Sequence, residues 1–231
     1  MQKISYRRHR FHPDIIRQAV WLYFRFTMSF RDVEDLLAER GIDVSYETVR
    51  LWVLKFGHAY AHQIRKRRGP AFDVWHLDEV FVNIGGKQMY LWRAVDGEGT
   101  VLDVLVQKRR DKPAASKLMR KLLKNQGVRP TQVVTDKLKS YGAAFRDIGL
   151  ERLHETGHRL NNRAESSHVP IRRRERKMQR FKSQASAQLF LSTFGPIYNL
   201  FNVQRHLISR HTLRAFRIQA MTEWHTVTMT A

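Results

Sequence analysis

Apolar residues recur at helical spacing through the first quarter of the chain. Over residues 14 to 26, Ile15, Ala19, Leu22 and Phe26 fall on one face, with Ile16, Val20 and Tyr23 beside them, which predicts an amphipathic helix. Ser29, with Asp32 three positions on, has the form of an N-cap opening a second helix that carries Val33, Leu36 and Leu37 and stops at Gly41. Ser45 is expected to cap a third, whose buried stripe is Val49, Trp52, Val53 and Phe56. Two short helices joined through Gly41 to Val44 match a helix-turn-helix plan, in which Tyr46, Glu47, Thr48 and Arg50, at the start of the second, meet base edges. The same pattern also fits a three-helix bundle that only packs on the next domain.

The period changes beyond a basic run, QIRKRRGP (63 to 70), which reads as a linker over 63–71. Residues 73 to 84 alternate as a strand, Gly85-Gly86 supplies the positive φ angles of a tight turn, and 87 to 95 returns as a second strand. A turn at 96 to 99 and a third strand at 100 to 107 complete a meander. Lys112 to Gln126 is helical, 131 to 135 a short strand, 138 to 147 helical, 150 to 154 a possible strand, and about 162 to 180 one long basic helix. A helix between strands of one sheet implies a parallel crossover. The order is that of an α/β fold with a ribonuclease-H-like mixed sheet, preceded by a small all-α domain. The divisions expected are 1–62 for the helix-turn-helix domain, 72–182 for the sheet domain and 183–231 for a C-terminal helical segment. Within the last, residues 185 to 208 form an apolar helix interrupted at Gly195-Pro196, suited to core packing or to dimer contact.

Composition narrows the partner. The 42 basic and 21 acidic residues leave a formal charge of +21, which predicts attraction to a polyanion, DNA or RNA before an anionic membrane. A hydrophobic content of 42% allows a real core. The absence of cysteine excludes disulfides, thiolate zinc sites and cysteine nucleophiles. No run reaches the roughly 18 apolar residues of a membrane span, and the first residues lack an apolar signal core, so a cytoplasmic, nucleoid-associated protein with no membrane partner is expected.

Against that basic background, three acids sit where core-like segments end: Asp78 in VWHLDEVFV, Asp136 in TQVVTDKLKSY and Glu165 in LNNRAESSH. A pair of divalent ions is the economical reason, because Mg²⁺ prefers carboxylate oxygens and a two-metal site supports phosphodiester chemistry. Each acid also has a structural alternative: an edge position or arginine partner for Asp78, a helix N-cap for Asp136, and a surface pair with Arg172 or Arg163 for Glu165. Strand alternation implies that only one of Asp78 and Glu79 faces such a site, with Asp78 on the face of Val80 and Val82.

These blocks resemble those of DDE transposases from bacterial insertion sequences, specifically the insertion sequence six (IS-six) family. The resemblance rests on WHLDEVFV, VVTDKLKSYG and LNNRAESSH followed by RRRERKMQRF, and it covers nearly the whole chain, including FNVQRHL. It implies Asp78, Asp136 and Glu165 as ligands of two Mg²⁺ ions, for which Mn²⁺ can substitute. It also implies Arg172, seven residues after Glu165, as a basic residue two turns along the same helix and able to hold a phosphate. It further implies DNA partners, namely terminal inverted repeats and target DNA, and a homo-oligomer. One departure is that only 28 residues separate Asp136 from Glu165, about six fewer than in many members, a shortening that falls in a loop.

His154-Glu155-Thr156-Gly157-His158 matches H-E-x-x-H, but Gly157 and the lack of a long amphipathic helix argue against a zinc-protease site. His168, three residues after Glu165, could approach the metal site or the DNA, or simply be solvated. From Arg163 to Lys182 eight basic residues stand against two acidic ones, which points to phosphate contacts by Arg173, Arg174 and Lys177. The rival readings are a non-catalytic helix-turn-helix regulator and a ribonuclease-H-like nuclease that cuts without joining.

Overall fold

The computed structural model describes residues 4–157 and 161–229, apart from the side chain of His206. It divides into two compact units. One comprises the residues up to Arg68 together with those from Pro196 onward, and the other runs from Gly69 to Gly195.

The helical unit contains α1 (Pro13–Arg25), α2 (Phe30–Ala38), α3 (Tyr46–Arg67) and, from the far end of the chain, α9 (Arg210–Met229). Ser29 closes a reciprocal capping box with Asp32, so two of the donors left open at the start of α2 are satisfied. Ser45 caps α3 by accepting from the Thr48 amide at 3.3 Å. Ile16, Ala19, Val20, Leu22 and Tyr23 of α1, Val33 and Leu37 of α2, and Val49, Trp52, Val53 and Phe56 of α3 are buried. Ile15 is only partly covered and Phe26, just past the end of α1, is exposed, so the buried face of α1 is centred on Ile16, Val20 and Tyr23. The N-terminal arm is anchored: the Tyr6 ring stacks on Phe56 at 5.0 Å, and its hydroxyl lies 2.6 Å from that of Tyr60 and donates to the Thr228 carbonyl at 2.6 Å.

The structure differs from the sequence expectation at two boundaries. The basic run Gln63 to Arg67 is the last turn of α3 rather than a linker, because Ile64 is buried and continues the apolar stripe. The residues from 183 on do not form a segment of their own. The apolar helix ends at Phe201 as α8 (Gln184–Phe201), the unit boundary falls inside it, and α9 packs on α3 through Trp224, whose ring meets Tyr60 edge-on at 5.3 Å.

The second unit is a five-stranded sheet of order β3-β2-β1-β4-β5. The strands are β1 (Val74–Ile84), β2 (Lys87–Asp96), β3 (Val101–Gln107), β4 (Gln132–Thr135) and β5 (His154–Thr156). β1 to β3 pair antiparallel, while β4 is parallel to both β1 and β5, the ribonuclease-H-like arrangement. Gly85 and Gly86 have φ of 57° and 79°, and a Cβ on Gly85 would come within 2.9 Å of the Lys182 carbonyl oxygen. Both the turn and that close approach therefore require glycine. α4 (Lys112–Gln126) and α5 (Lys139–Asp147) cover one sheet face, where Trp75, Leu77, Trp92 and Ala94 pack against Leu118, Met119, Leu122, Tyr141 and Phe145. The outer edge of β3 is covered by α8. Gln188 accepts from the Val106 amide and donates to the Val104 carbonyl, while Gln184 donates to the Val106 carbonyl. Two side-chain amides thus replace a missing strand and protect the edge from pairing with another chain.

The expected strand at 150 to 154 is instead a short 3₁₀ turn, Glu151–Leu153, leading into β5. The expected long basic helix is two, α6 (Asn162–Ser167) and α7 (Val169–Lys177), meeting at His168. Pro170 explains the break, since it has no amide hydrogen to give the Ser166 carbonyl.

Candidate metal centre

The register of the sheet positions the acids. Leu77 of β1 is paired with Thr135 of parallel β4, so Asp78 and Asp136 are the next residues along two neighbouring strands. Asp78, Glu79 and Asp136 each offer an oxygen, and these lie within 4.8 Å of one another. Strand alternation suggested that only one of Asp78 and Glu79 could face the site, and this is corrected: both reach it. Glu79 has one more methylene, and its carboxylate is turned toward Asp136 by Arg110. That guanidinium bridges the two acids, with Nη2 2.5 Å from Glu79 Oε1 and 3.1 Å from Asp136 Oδ2.

The rest of the network is polar and enclosed. Tyr141 donates to Glu79 Oε2 at 2.8 Å, and the Leu138 amide donates to Asp136 Oδ1 at 3.0 Å, so Asp136 also caps the turn that leads into α5. Burial pushes the Glu79 carboxyl up to about 7; Tyr141 and Arg110 pull it down, and the Asp136 charge raises it further. Burial and the adjoining Glu79 carboxyl hold the Tyr141 phenol well above its ordinary range. Burial alone would lower the Arg110 guanidinium, but Glu79 and Asp136 hold it up.

On the Asp78 side, His168 Nε2 is 3.1 Å from Asp78 Oδ2. Burial lowers the pKa of this imidazole, the Asp78 carboxylate opposes that shift, and Arg93 and Arg172 add to it. Asp78 is paired across the strands with Arg93, and Glu79 with Trp92.

The remaining expected residues are distributed differently. Glu165 lies on α6, exposed and outside the group of three. Its helix packs on β1 and β2, and Asn161, just before it, donates to the Leu77 carbonyl at 2.8 Å. Arg172 donates to Glu175 Oε2 at 3.0 Å, and the other oxygen of Glu175 accepts from the Asn83 amide of β1 at 3.3 Å. Arg173 and Lys177 are exposed on α7. Arg174 is not: it is 1% exposed and its guanidinium lies over the Phe190 ring, so its expected DNA contact is corrected to a packing role. In the helical unit Tyr46 is exposed beneath Arg31, Thr48 Oγ1 is 3.0 Å from Ser45 Oγ, and Arg50 forms a two-bond fork with Glu47. His154 and Glu155 of the H-E-x-x-H match lie on strand β5, so that segment does not have the helical geometry a zincin needs. His158 falls outside the described residues.

Arg110 and Tyr141 were not anticipated. Their signals were a basic run just after β3, and a tyrosine on the apolar face of α5, where a buried hydroxyl needs a partner. The donor set suits a hard divalent cation: three carboxylates, no thiolate, and a guanidinium already drawn between two of them.

An α/β sheet of this order, with acids gathered where β1 and β4 run side by side, defines a ribonuclease-H-like catalytic core. A family model described as a DDE domain matches residues 72–204. A transposase for the insertion sequence-like element IS431mec of Staphylococcus aureus is 34% identical over 205 residues, spanning 87% of this chain and 90% of the relative. A transposase for insertion sequence element IS257 in transposon Tn4003, from the same species, is 33% identical over the same shares. Among solved structures, the HTLV-2 integrase catalytic core domain in complex with magnesium is 14% identical, with a TM-score of 0.44, covering 59% of this chain and 92% of that one. The chain belongs to the DDE transposases of the insertion sequence six family. No described helix is long and apolar enough to cross a membrane.

Proposed function

We propose that the protein cuts and joins DNA at the terminal inverted repeats of its own insertion sequence, with Asp78, Asp136 and Glu165 as the metal-holding acids. The observation that carries the reading is the approach of the Asp78 and Asp136 carboxylates from adjacent parallel strands in a chain of charge +21. Two Mg²⁺ ions held there, or Mn²⁺ in their place, supply activation of a water or a 3′-hydroxyl and stabilise the leaving oxygen of a phosphodiester. Glu165 completes the set from α6, whose start is tied to Leu77, the residue before Asp78. Arg172, held at one side by Glu175, offers the rest of its guanidinium to a phosphate, and Arg173 and Lys177 add attraction along the same helix. Tyr46, Thr48 and Arg50 read the repeat sequence, which requires Arg50 to exchange Glu47 for a base edge. The active species is a homo-oligomer that holds two element ends.

The test is a strand-transfer assay with the full chain, an oligonucleotide bearing the element end, a target plasmid and Mg²⁺. Cleaved and joined products are expected, and neither with Asp136→Asn. Cleavage without joining would make the protein a nuclease. Specific binding with no cleavage in Mg²⁺ or Mn²⁺ would make it a regulator.

A further inference from the structure

The break between α6 and α7 leaves His168 against Asp78, and the pair is enclosed: 8% of the histidine side chain and 13% of the aspartate side chain are exposed. An ionised carboxylate has no hydrogen to give, so Nε2 carries the hydrogen of the 3.1 Å contact and donates it to Asp78 Oδ2. The other ring nitrogen, Nδ1, is buried without a hydrogen-bond partner. A buried polar atom left unsatisfied costs free energy that a phenylalanine or leucine there would not. Ala164 and Ile171, four residues before and three after, show that this side of the two helices otherwise buries apolar groups. Packing therefore does not account for an imidazole at this position, whereas a grip on Asp78 does. That grip takes one carboxylate oxygen and leaves Oδ1 to a ligand.

We propose that His168 is a positioning residue, whose Nε2 hydrogen bond presets the Asp78 carboxylate to share a divalent cation with Asp136. The inference rests on the reading of these two aspartates as metal ligands. Hydrogen-bond partners of ligating carboxylates contribute roughly ten-fold or more to metal affinity, and a buried partner on a neighbouring helix fixes the carboxylate before the ion arrives.

The experiment is Mn²⁺ titration of the full chain without DNA, followed by the electron paramagnetic resonance signal of the free ion. His168→Phe keeps the ring volume and loses the donor, and is expected to bind Mn²⁺ roughly ten-fold more weakly than the parent. His168→Gln places an amide N–H near the position of Nε2 and should stay within about two-fold of the parent. A packing role would give the opposite order, with the phenylalanine variant as good as the parent and the glutamine variant worse. Either that order or equal losses in both variants would overturn the proposal. If His168→Phe fails to unfold cooperatively, His168→Leu takes its place in the comparison. Asp78→Asn is the control for the underlying reading: if it binds Mn²⁺ as well as the parent, or the parent binds none, the metal assignment falls and His168 with it. Loss in Asp78→Asn with none in His168→Phe removes only the role of the histidine.

Discussion

Asp78 and Glu79 are neighbours in β1, yet each carboxylate is held by a different layer of the protein. His168, from the junction of α6 and α7, holds Asp78, and Tyr141 of α5 holds Glu79. Asp136 is drawn to the Glu79 side by Arg110 and to the start of α5 by the Leu138 amide. The acidic site is therefore fixed from both faces of the sheet.

Asp136→Asn should abolish Mg²⁺-dependent cleavage and joining while leaving DNA affinity within about two-fold, since the amide oxygen can still accept from Leu138 and only the ligand charge is lost. Gel-shift and strand-transfer assays on the same preparation check this, and near-normal nicking would remove Asp136 from the site.

The third acid is decided by comparing two variants. Glu165→Gln should eliminate cleavage and leave the thermal transition unchanged, because the residue is exposed. Were Glu79→Gln inactive and Glu165→Gln active, the carboxylate already inside the cluster would be the third ligand.

Glu79 also predicts a pH dependence of stability. Its folded pKa of about 7 lies above the ordinary 4.5, so the folded state binds this proton more tightly than the unfolded one. The favourable contribution is fully present below about 4.5 and is lost as pH rises to about 7, a change of roughly 3 kcal/mol. In metal-free buffer the parent should lose stability relative to Glu79→Gln across that window. Denaturant unfolding at pH 5 and pH 8 measures the difference, and parallel curves would contradict it.

Neighbouring arginines on α7 should behave oppositely. Arg174→Ala should lower stability by about 2 kcal/mol with little change in the salt dependence of DNA binding, because its stem and head are buried over Phe190. Arg173→Ala should leave stability alone and reduce the slope of log K against log salt by roughly one. Equal effects of the two on binding would return Arg174 to the DNA surface.

Arg50→Ala should weaken binding to the element end by about 1 to 3 kcal/mol relative to random DNA if the side chain reads a guanine. Glu47→Ala, which releases Arg50 from its fork, should instead strengthen binding to random DNA. Fluorescence anisotropy with both duplexes separates the two.

The sheet was legible in the sequence because alternation and turn chemistry agree. The strands β1 to β3, the Gly85-Gly86 turn, α4 with its cap at Gly127, and β4 ending before Asp136 all fall within a residue or two of expectation. What was not legible depends on contacts far apart in sequence. Gln63 to Arg67 looks like a linker until Ile64 finds a buried place, and the helical character expected over 183–231 says nothing of the place of α9 on α3, where Ala220, Trp224 and Val227 are buried. Arg174 was indistinguishable from Arg173 by charge, and only the position of Phe190 separates them. For Glu79, the alternation rule describes where Cβ points and says nothing of where a longer side chain ends.

The helical unit is built from two stretches far apart in the sequence, with Tyr6 and Tyr60 meeting Thr228 and Trp224. Tyr60 is synthesised well before Trp224 and Thr228, so α3 leaves the ribosomal exit tunnel long before the residues that cover Tyr60. The five-stranded sheet is complete while the helical unit still waits for α9. A premature stop codon between α8 and α9 would thus yield a chain with its acids in place and the Phe56–Tyr60 surface uncovered, a product open to proteolysis.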